Sequence, residues 1–246
     1  MNILKLNSAC VLLTLLVIGC SKSSEPSPTT SVVPDVYKKI YNATDIYVEG
    51  SNIVIKTTGL PDHKSPYYQG TQWASTLYQA YNGTNTAFVL NPNRIASFSY
   101  TFKIPKDPKV ATTHTATPLG AIGISINGVP FFNQYAGPNQ PLTSEINSFD
   151  QGNGHPQQQG AYHYHVEPLF LTAAKGTNAL LGFLLDGFPV YGPNENGAAV
   201  TGLDAYHGHT SVTADYPSGI YHYHITGTDP YINGSGFYGT AGTVSQ

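Results

Sequence analysis

Tyr162-His163-Tyr164-His165 and Tyr221-His222-Tyr223-His224 are one tetrapeptide written twice, and their alternation sets the expected fold. In an extended strand successive side chains point to opposite faces, and residues i and i+2 share a face about 6.5–7 Å apart at the backbone. Each copy therefore reads as a strand with an aromatic side suited to a core and a second side carrying two imidazoles. Each follows a glycine-containing turn, Gln159-Gly160-Ala161 in one case and Ser218-Gly219-Ile220 in the other.

The same period runs outward from these strands. Residues 46–57 read as a hairpin, Ile46-Tyr47-Val48-Glu49 and Ile53-Val54-Ile55-Lys56-Thr57 around a Gly50-Ser51-Asn52 turn. Over 97–104 the alternation puts Phe98, Tyr100, Phe102 and Ile104 on one face. An apolar run over 120–126 enters Asn127-Gly128, a two-residue turn signal, and another over 180–185 enters Asp186-Gly187. Helical spacing is confined to 71–80 and 142–148, and long polar connections such as 133–160 lie between the strands. The expected fold is mainly β: a single compact domain over residues 35–246, sandwich- or barrel-like, with long irregular loops.

The N-terminus carries an address. Lys5 precedes an apolar run, residues 11–19, too short for a membrane span, which needs about 20 apolar residues. A charged start, an apolar stretch and a small residue before the cut are the pattern of an export signal. Val17-Ile18-Gly19-Cys20 resembles the bacterial lipobox, in which the cysteine is lipidated and becomes the new N-terminus. Residues 1–19 are thus expected to be a lipoprotein signal peptide, and 20–34 a lipidated Cys20 with a Ser/Pro tether too poor in apolar groups to fold. The expected location is the cell envelope, extracytoplasmic (periplasmic or outer surface), with membrane contact through Cys20 only. Cys10 and Cys20 are the only cysteines, so the mature domain has no thiol, and any metal must be held by nitrogen and oxygen. Cleavage would remove Lys5, one of 11 Lys+Arg, and none of the 14 Asp+Glu, taking the net charge from −3 to −4. That balance offers no basic patch for nucleic acid.

Seven of the nine histidines fall between residues 155 and 224, and six form His-x-His pairs: His163/His165, His207/His209 and His222/His224. Two imidazoles at i and i+2 on a strand can tilt onto one ion at about 2.0–2.1 Å each. Two such strands and the 207–209 loop could converge on one or two metal ions. The candidate ligands are His163, His165, His222 and His224, with His155 and His209 around them. Nitrogen ligation without thiolate or thioether favours Zn²⁺ or Cu²⁺. The plain structural reading is an aromatic ladder whose histidines bond carbonyls. Asp186, at the end of an apolar run, is the candidate catalytic acid: it could ligate the ion, orient an imidazole or act as a base, or simply form its turn. Glu167 keeps strand parity with His163 and His165, but Pro168 ends the strand. Asp62, Asp150, Asp204 and Asp215 read as turn residues, and His114 as a loop residue. If the protein is an enzyme, a metal-dependent hydrolase using metal-bound water, or with copper an oxidative enzyme, is the chemistry implied. The reading from another class is a non-catalytic surface module binding glycan or protein through its tyrosines.

The repeated Tyr-His-Tyr-His and its surroundings resemble the YHYH domain family of exported proteins. Gly59-Leu60-Pro61-Asp62-His63 is similar to an early element of that family, and Asn91-Pro92-Asn93 and the run from Gly123 to Pro130 to its middle elements. His155 with 160–165, the run from Leu181 to Gly192, 203–209 and 219–224 complete the likeness, which covers about 59–239. Where other members often have a cysteine, this chain has Ala205-Tyr206-His207. The resemblance implies no particular activity or substrate, but it makes His63 a candidate contributor to the same metal site.

Overall fold

The computed structural model describes residues 32–234 and 236–246, which belong to one compact unit. The signal segment 1–19, Cys20 and residues 21–31 of the tether lie outside the described residues. Strands β1 (Asp45–Glu49) and β2 (Asn52–Thr57) form the hairpin expected there, and β3 (Tyr100–Pro105) pairs with β2 on its other side. In β3, Tyr100, Phe102 and Ile104 are buried while Thr101 and Lys103 are not, as the alternation requires.

The next twelve strands fall into two runs of six. The first comprises β4 (Ala121–Ser125), β5 (Pro130–Phe132), the short ribbon β6 (Tyr135–Ala136) and β7 (Gln140–Pro141), then β8 (Gly154–Pro156) and β9 (Tyr162–Tyr164). The second comprises β10 (Leu180–Leu184), β11 (Pro189–Tyr191), the ribbon β12 (Asn194–Glu195) and β13 (Ala198–Ala199), then β14 (Gly208–Ser211) and β15 (Ile220–His224). Finally β16 (Thr243–Ser245) returns to β3 and completes a four-stranded sheet, β1-β2-β3-β16.

The larger sheet has the order β14-β15-β11-β10-β4-β5-β9-β8, which reads as the same arrangement from either end. Both halves pair antiparallel within β4–β5 and β10–β11, parallel at β5–β9 and β11–β15, and antiparallel at β8–β9 and β14–β15. From β4 to β10 and from β5 to β11 the offset is a constant 59 residues (121 to 180, 130 to 189), as it is between the two Tyr-His-Tyr-His copies (162 to 221). At the centre Ile124 pairs with Phe183, its own counterpart in the repeat, flanked by Gly182↔Ser125 and Leu184↔Gly123. Antiparallel pairing of equivalent residues places a pseudo-twofold axis through that pair, the relation of a symmetric dimer interface.

Buried side chains of both sheets, Ile53, Ile55, Phe102 and Ile104 from one and Ile122, Ile124, Phe131 and Phe183 from the other, join one apolar core. No closed barrel forms among the described residues. Helix is scarce. The expected helix over 71–80 shrinks to α1 (Ala74–Leu77), since no side chain caps Trp73 and Tyr78 leaves the helix to bridge Ser65. The segment 142–148 becomes a 3-10 turn at Glu145–Ser148. Helix α2 (Leu169–Lys175), not expected, starts after Pro168 and stops at Gly176, which takes φ +99°. Strand β9 ends at Tyr164, short of Glu167 and Pro168, so Glu167 does not continue the histidine face; its carbonyl accepts from Asn153.

Candidate metal centres

Strand β9 presents His163, with His165 just past its end on the same side, and β8 lies beside it in a register that pairs His155 with His163. The three imidazoles meet through their Nε2 atoms: His155 to His163 is 3.1 Å and His163 to His165 is 2.9 Å. The 3-10 turn brings Glu145 in from the side, its Oε1 3.2 Å from Nε2 of His155. Donors bound to a tetrahedral ion at 2.0–2.1 Å stand about 3.3 Å apart, so the set already has roughly the spacing of a coordination shell.

The other ring nitrogens say which way the lone pairs point. Nδ1 of His163 faces the carbonyl of Ala161 at 3.0 Å, and Nδ1 of His165 faces that of Asn133 at 2.5 Å. A carbonyl can only accept, so both Nδ1 atoms carry the proton. His155 Nδ1 meets Ser148 Oγ at 2.7 Å, and that hydroxyl spends its own proton on the Glu145 carbonyl, so it too accepts from the ring. In the neutral rings every Nε2 therefore aims a bare lone pair at the same point, beside a carboxylate. Burial, then the neighbouring imidazoles, hold His163 well below the usual histidine range, and burial and His155 bring His165 to about 4. Contact with the His155 ring holds Glu145 below its ordinary value. The clash of lone pairs is relieved by a cation, and burial disfavours protonation of His163 and His165.

The second repeat builds the same centre. His222 and His224 share a face of β15, and β14 places His209 opposite His222. Nδ1 of His222 donates to Ile220 at 3.0 Å, and Nδ1 of His224 to Gly192 at 2.8 Å, the counterpart of Asn133. The Nε2 atoms of His209, His222 and His224 are all buried without a hydrogen-bond partner. Glu195, from β12, approaches with Oε2 3.5 Å from His209 and Oε1 3.9 Å from His222. The ligand atoms of each quartet lie within 4.8 Å of one another. Burial lowers His222 and brings His224 to about 4, and the Ser211 hydroxyl holds Glu195 below its usual value.

The surroundings repeat as well. Asp150 and Asp204 are turn residues, as expected, and each does two jobs. Asp150 Oδ1 accepts from the amides of Gly152 and Gly154 and from Tyr162 Oη, while Asp204 Oδ1 accepts from those of Tyr206 and Gly208 and from Tyr221 Oη. The turn is thereby tied to the tyrosine face of the histidine strand, which fixes the strand that carries the ligands. Gly154 and Gly208, just before His155 and His209, lie flat on those tyrosines: a Cβ would stand 2.4 Å from the Tyr162 ring or 2.5 Å from Tyr221 Oη.

Of the sequence candidates, His155, His163 and His165 come together in one centre and His209, His222 and His224 in another. The two Tyr-His-Tyr-His strands do not converge on one site; five interstrand steps separate them, about 24 Å at 4.8 Å each. His209 lies on a strand rather than in the loop expected for 207–209. His63 and Asp186 are brought to neither centre, for one reason: both sit on the tyrosine face. His63 Nε2 is 3.0 Å from Tyr164 Oη, and its ring packs on Phe170. Asp186 is fully buried, its Oδ2 accepting from Tyr223 Oη at 2.6 Å and from the Gly239 amide at 2.8 Å. Burial raises its carboxyl to about 6, yet its partners are a phenol and backbone amides, not an imidazole. It occupies the place of Asn127, which serves Tyr164 in the first repeat. His207 takes φ +70° and bonds Thr226, and His114 stacks on Tyr206. Sequence reasoning missed Glu145 and Glu195. No common spacing marks them, since one follows Asn133 by twelve residues and the other follows its counterpart Gly192 by three.

A family model described as YHYH protein matches residues 101–198 and 194–236, more than half of the chain. The chain belongs to the YHYH protein family. The match spans both centres of this YHYH protein and all eight strands of the larger sheet. No curated protein and no solved structure matches it.

Proposed function

We propose that this YHYH protein binds two divalent metal ions, one in each repeat, as a lipid-anchored protein outside the cytoplasm. His155, His163, His165 and Glu145 would hold one ion, and His209, His222, His224 and Glu195 the other. The observation that carries this reading is the convergence of three buried imidazole Nε2 atoms in each repeat, with the Nδ1 partners of His155, His163, His165, His222 and His224 leaving those five as lone pairs. Three such atoms together are an arrangement that only a cation rewards. The donor set, three neutral nitrogens and one carboxylate without sulfur, suits Zn²⁺ or Cu²⁺. A bound ion of this kind supplies Lewis acidity or a nucleophilic water, which suits a hydrolase, and copper would suit oxidative chemistry. The carbonyls of Ala161, Asn133, Ile220 and Gly192 would hold the ligand rings in place, the outer-shell support that metal-bound histidines ordinarily have. A surface module binding glycan or protein through its tyrosines would have to use Tyr41, Tyr78 and Tyr135, which are exposed, because Tyr162, Tyr164, Tyr221 and Tyr223 are all buried.

Elemental analysis of the purified protein tests the reading: two equivalents of zinc or copper per chain are expected. A folded protein that carries no metal and gains no thermal stability from added Zn²⁺ or Cu²⁺ would overturn it. The anchor rests on the sequence at Cys20. Cells given labelled palmitate should label the protein, and Cys20→Ala should lose the label and leave the membrane fraction.

A further inference from the structure

Each centre borders a cavity, and the two cavities differ in charge. The first, about 370 Å³, meets Glu145, His163 and His165 and is walled by Tyr100, Leu119, Phe132 and Tyr135, with no cationic side chain. The second, about 570 Å³, meets Glu195, His222 and His224 and contains Lys39 and Lys175 together with Asn178, Asn194 and Thr213. Lys39 is paired with Asp215, which also accepts from Tyr191 Oη. Lys175 lies over the Tyr41 ring at 5.1 Å, and none of the ion pairs among the described residues includes it. With a divalent ion in each centre, the second cavity has a formal charge of +2 (ion, Lys39 and Lys175 against Glu195 and Asp215), and the first +1 (ion against Glu145).

We propose that the second centre, and not the first, is a binding site for a phosphate-type oxyanion, with one oxygen on the metal and the others toward Lys175 and the neutral donors beside it. The proposal rests on the metal reading above. Two further observations support the assignment to this side. The second quartet is the looser one: its histidine Nε2 atoms make no hydrogen-bond contact with one another, against contacts of 3.1 and 2.9 Å in the first. Its carboxylate also rides on a ribbon of only two residue pairs, Asn194–Glu195 with Ala198–Ala199, which lies outside the eight-stranded sheet. An ammonium without an ion-pair partner in the cavity that a divalent ion borders supplies a charge-assisted donor for an oxyanion.

The two centres serve as controls for each other. His163→Ala/His165→Ala should leave only the second centre, and His209→Ala/His222→Ala only the first. Each variant is loaded with Cu²⁺, checked for one ion per chain, and titrated with inorganic phosphate while the copper EPR spectrum is followed. The second-centre protein should shift saturably and the first-centre protein should not. Lys175→Met should raise the midpoint by up to about fivefold, the range for one exposed charge pair. The unmutated protein with two ions gives the same answer without mutation of a ligand: half of its copper signal should respond. Equal responses from both centres, no response from a copper-loaded second centre, or a midpoint indifferent to Lys175→Met would overturn the proposal. Absence of copper from every form would overturn the metal reading itself, and this proposal with it.

Discussion

Replacing His222 with alanine removes one donor from a quartet whose three Nε2 atoms are buried and unpartnered. A four-ligand zinc site is worth on the order of 10–16 kcal/mol, so each ligand carries roughly 3–4 kcal/mol. At 1.4 kcal/mol per decade the variant should bind its second ion about 10²- to 10³-fold more weakly. The other centre, about 24 Å away by strand count, shares no ligand with it and should keep its affinity. Competition against a chromogenic chelator would then show two tight equivalents of zinc in the unmutated protein and one in His222→Ala. Thermal melting separates a ligand from a packing residue. With free zinc at 1,000 times the dissociation constant, each intact centre adds about 4 kcal/mol, an increment the variant should lose at one centre. In excess chelator that difference should shrink to the cost of the cavity left by the ring. Equal destabilisation with and without zinc would refute the argument, because it would make His222 a core residue and nothing more.

Three other outcomes follow from the same geometry. Ser148→Ala takes away the acceptor for His155 Nδ1 and should weaken zinc binding at the first centre alone by about 10- to 100-fold, read by the same competition. Gly208→Ala sets a Cβ 2.5 Å from the His222 carbonyl and from Tyr221 Oη, and should cost about 1–3 kcal/mol in urea unfolding of the zinc-free protein. Asp186 is raised to about 6 from 3.8, so its contribution to stability is full below about pH 4 and is lost as the pH rises through 6. About two pKa units correspond to roughly 3 kcal/mol. In chelator-treated samples, the stability of the unmutated protein relative to Asp186→Asn should therefore fall by about that amount between pH 4 and pH 7; a flat difference would contradict the assignment.

Much of this was legible in the sequence where a local rule decides the outcome. Alternation in Tyr-His-Tyr-His places histidines on one face and tyrosines on the other, and Asn127-Gly128 and Asp186-Gly187 form the turns their residue types require, with both glycines at positive φ. The ligand histidines were found because i and i+2 are neighbours on a strand. Glu145 and Glu195 were not, because they reach the centres from a 3-10 turn and a short ribbon at unequal distances along the chain. Asp186 stands out as an acid at the end of an apolar run and His63 only through the family resemblance, but the turn carrying Asp186 and the bend carrying His63 place both on the tyrosine side. The separation of the two histidine strands is a matter of sheet order, which pairing alone sets. A signal for it was nonetheless present: 123–133 and 182–192 align at the same offset as the two tetrapeptides.

The Ile124–Phe183 pair has a further meaning. A chain holding a single repeat would expose that central strand edge, which needs a partner. A second copy could supply one in the same register. In such an assembly both clefts must be identical, because one sequence writes both. Here the two halves are joined covalently, and each is free to diverge. One cleft can keep a neutral, aromatic wall while the other acquires lysines, which no self-paired ancestor could do at one end only.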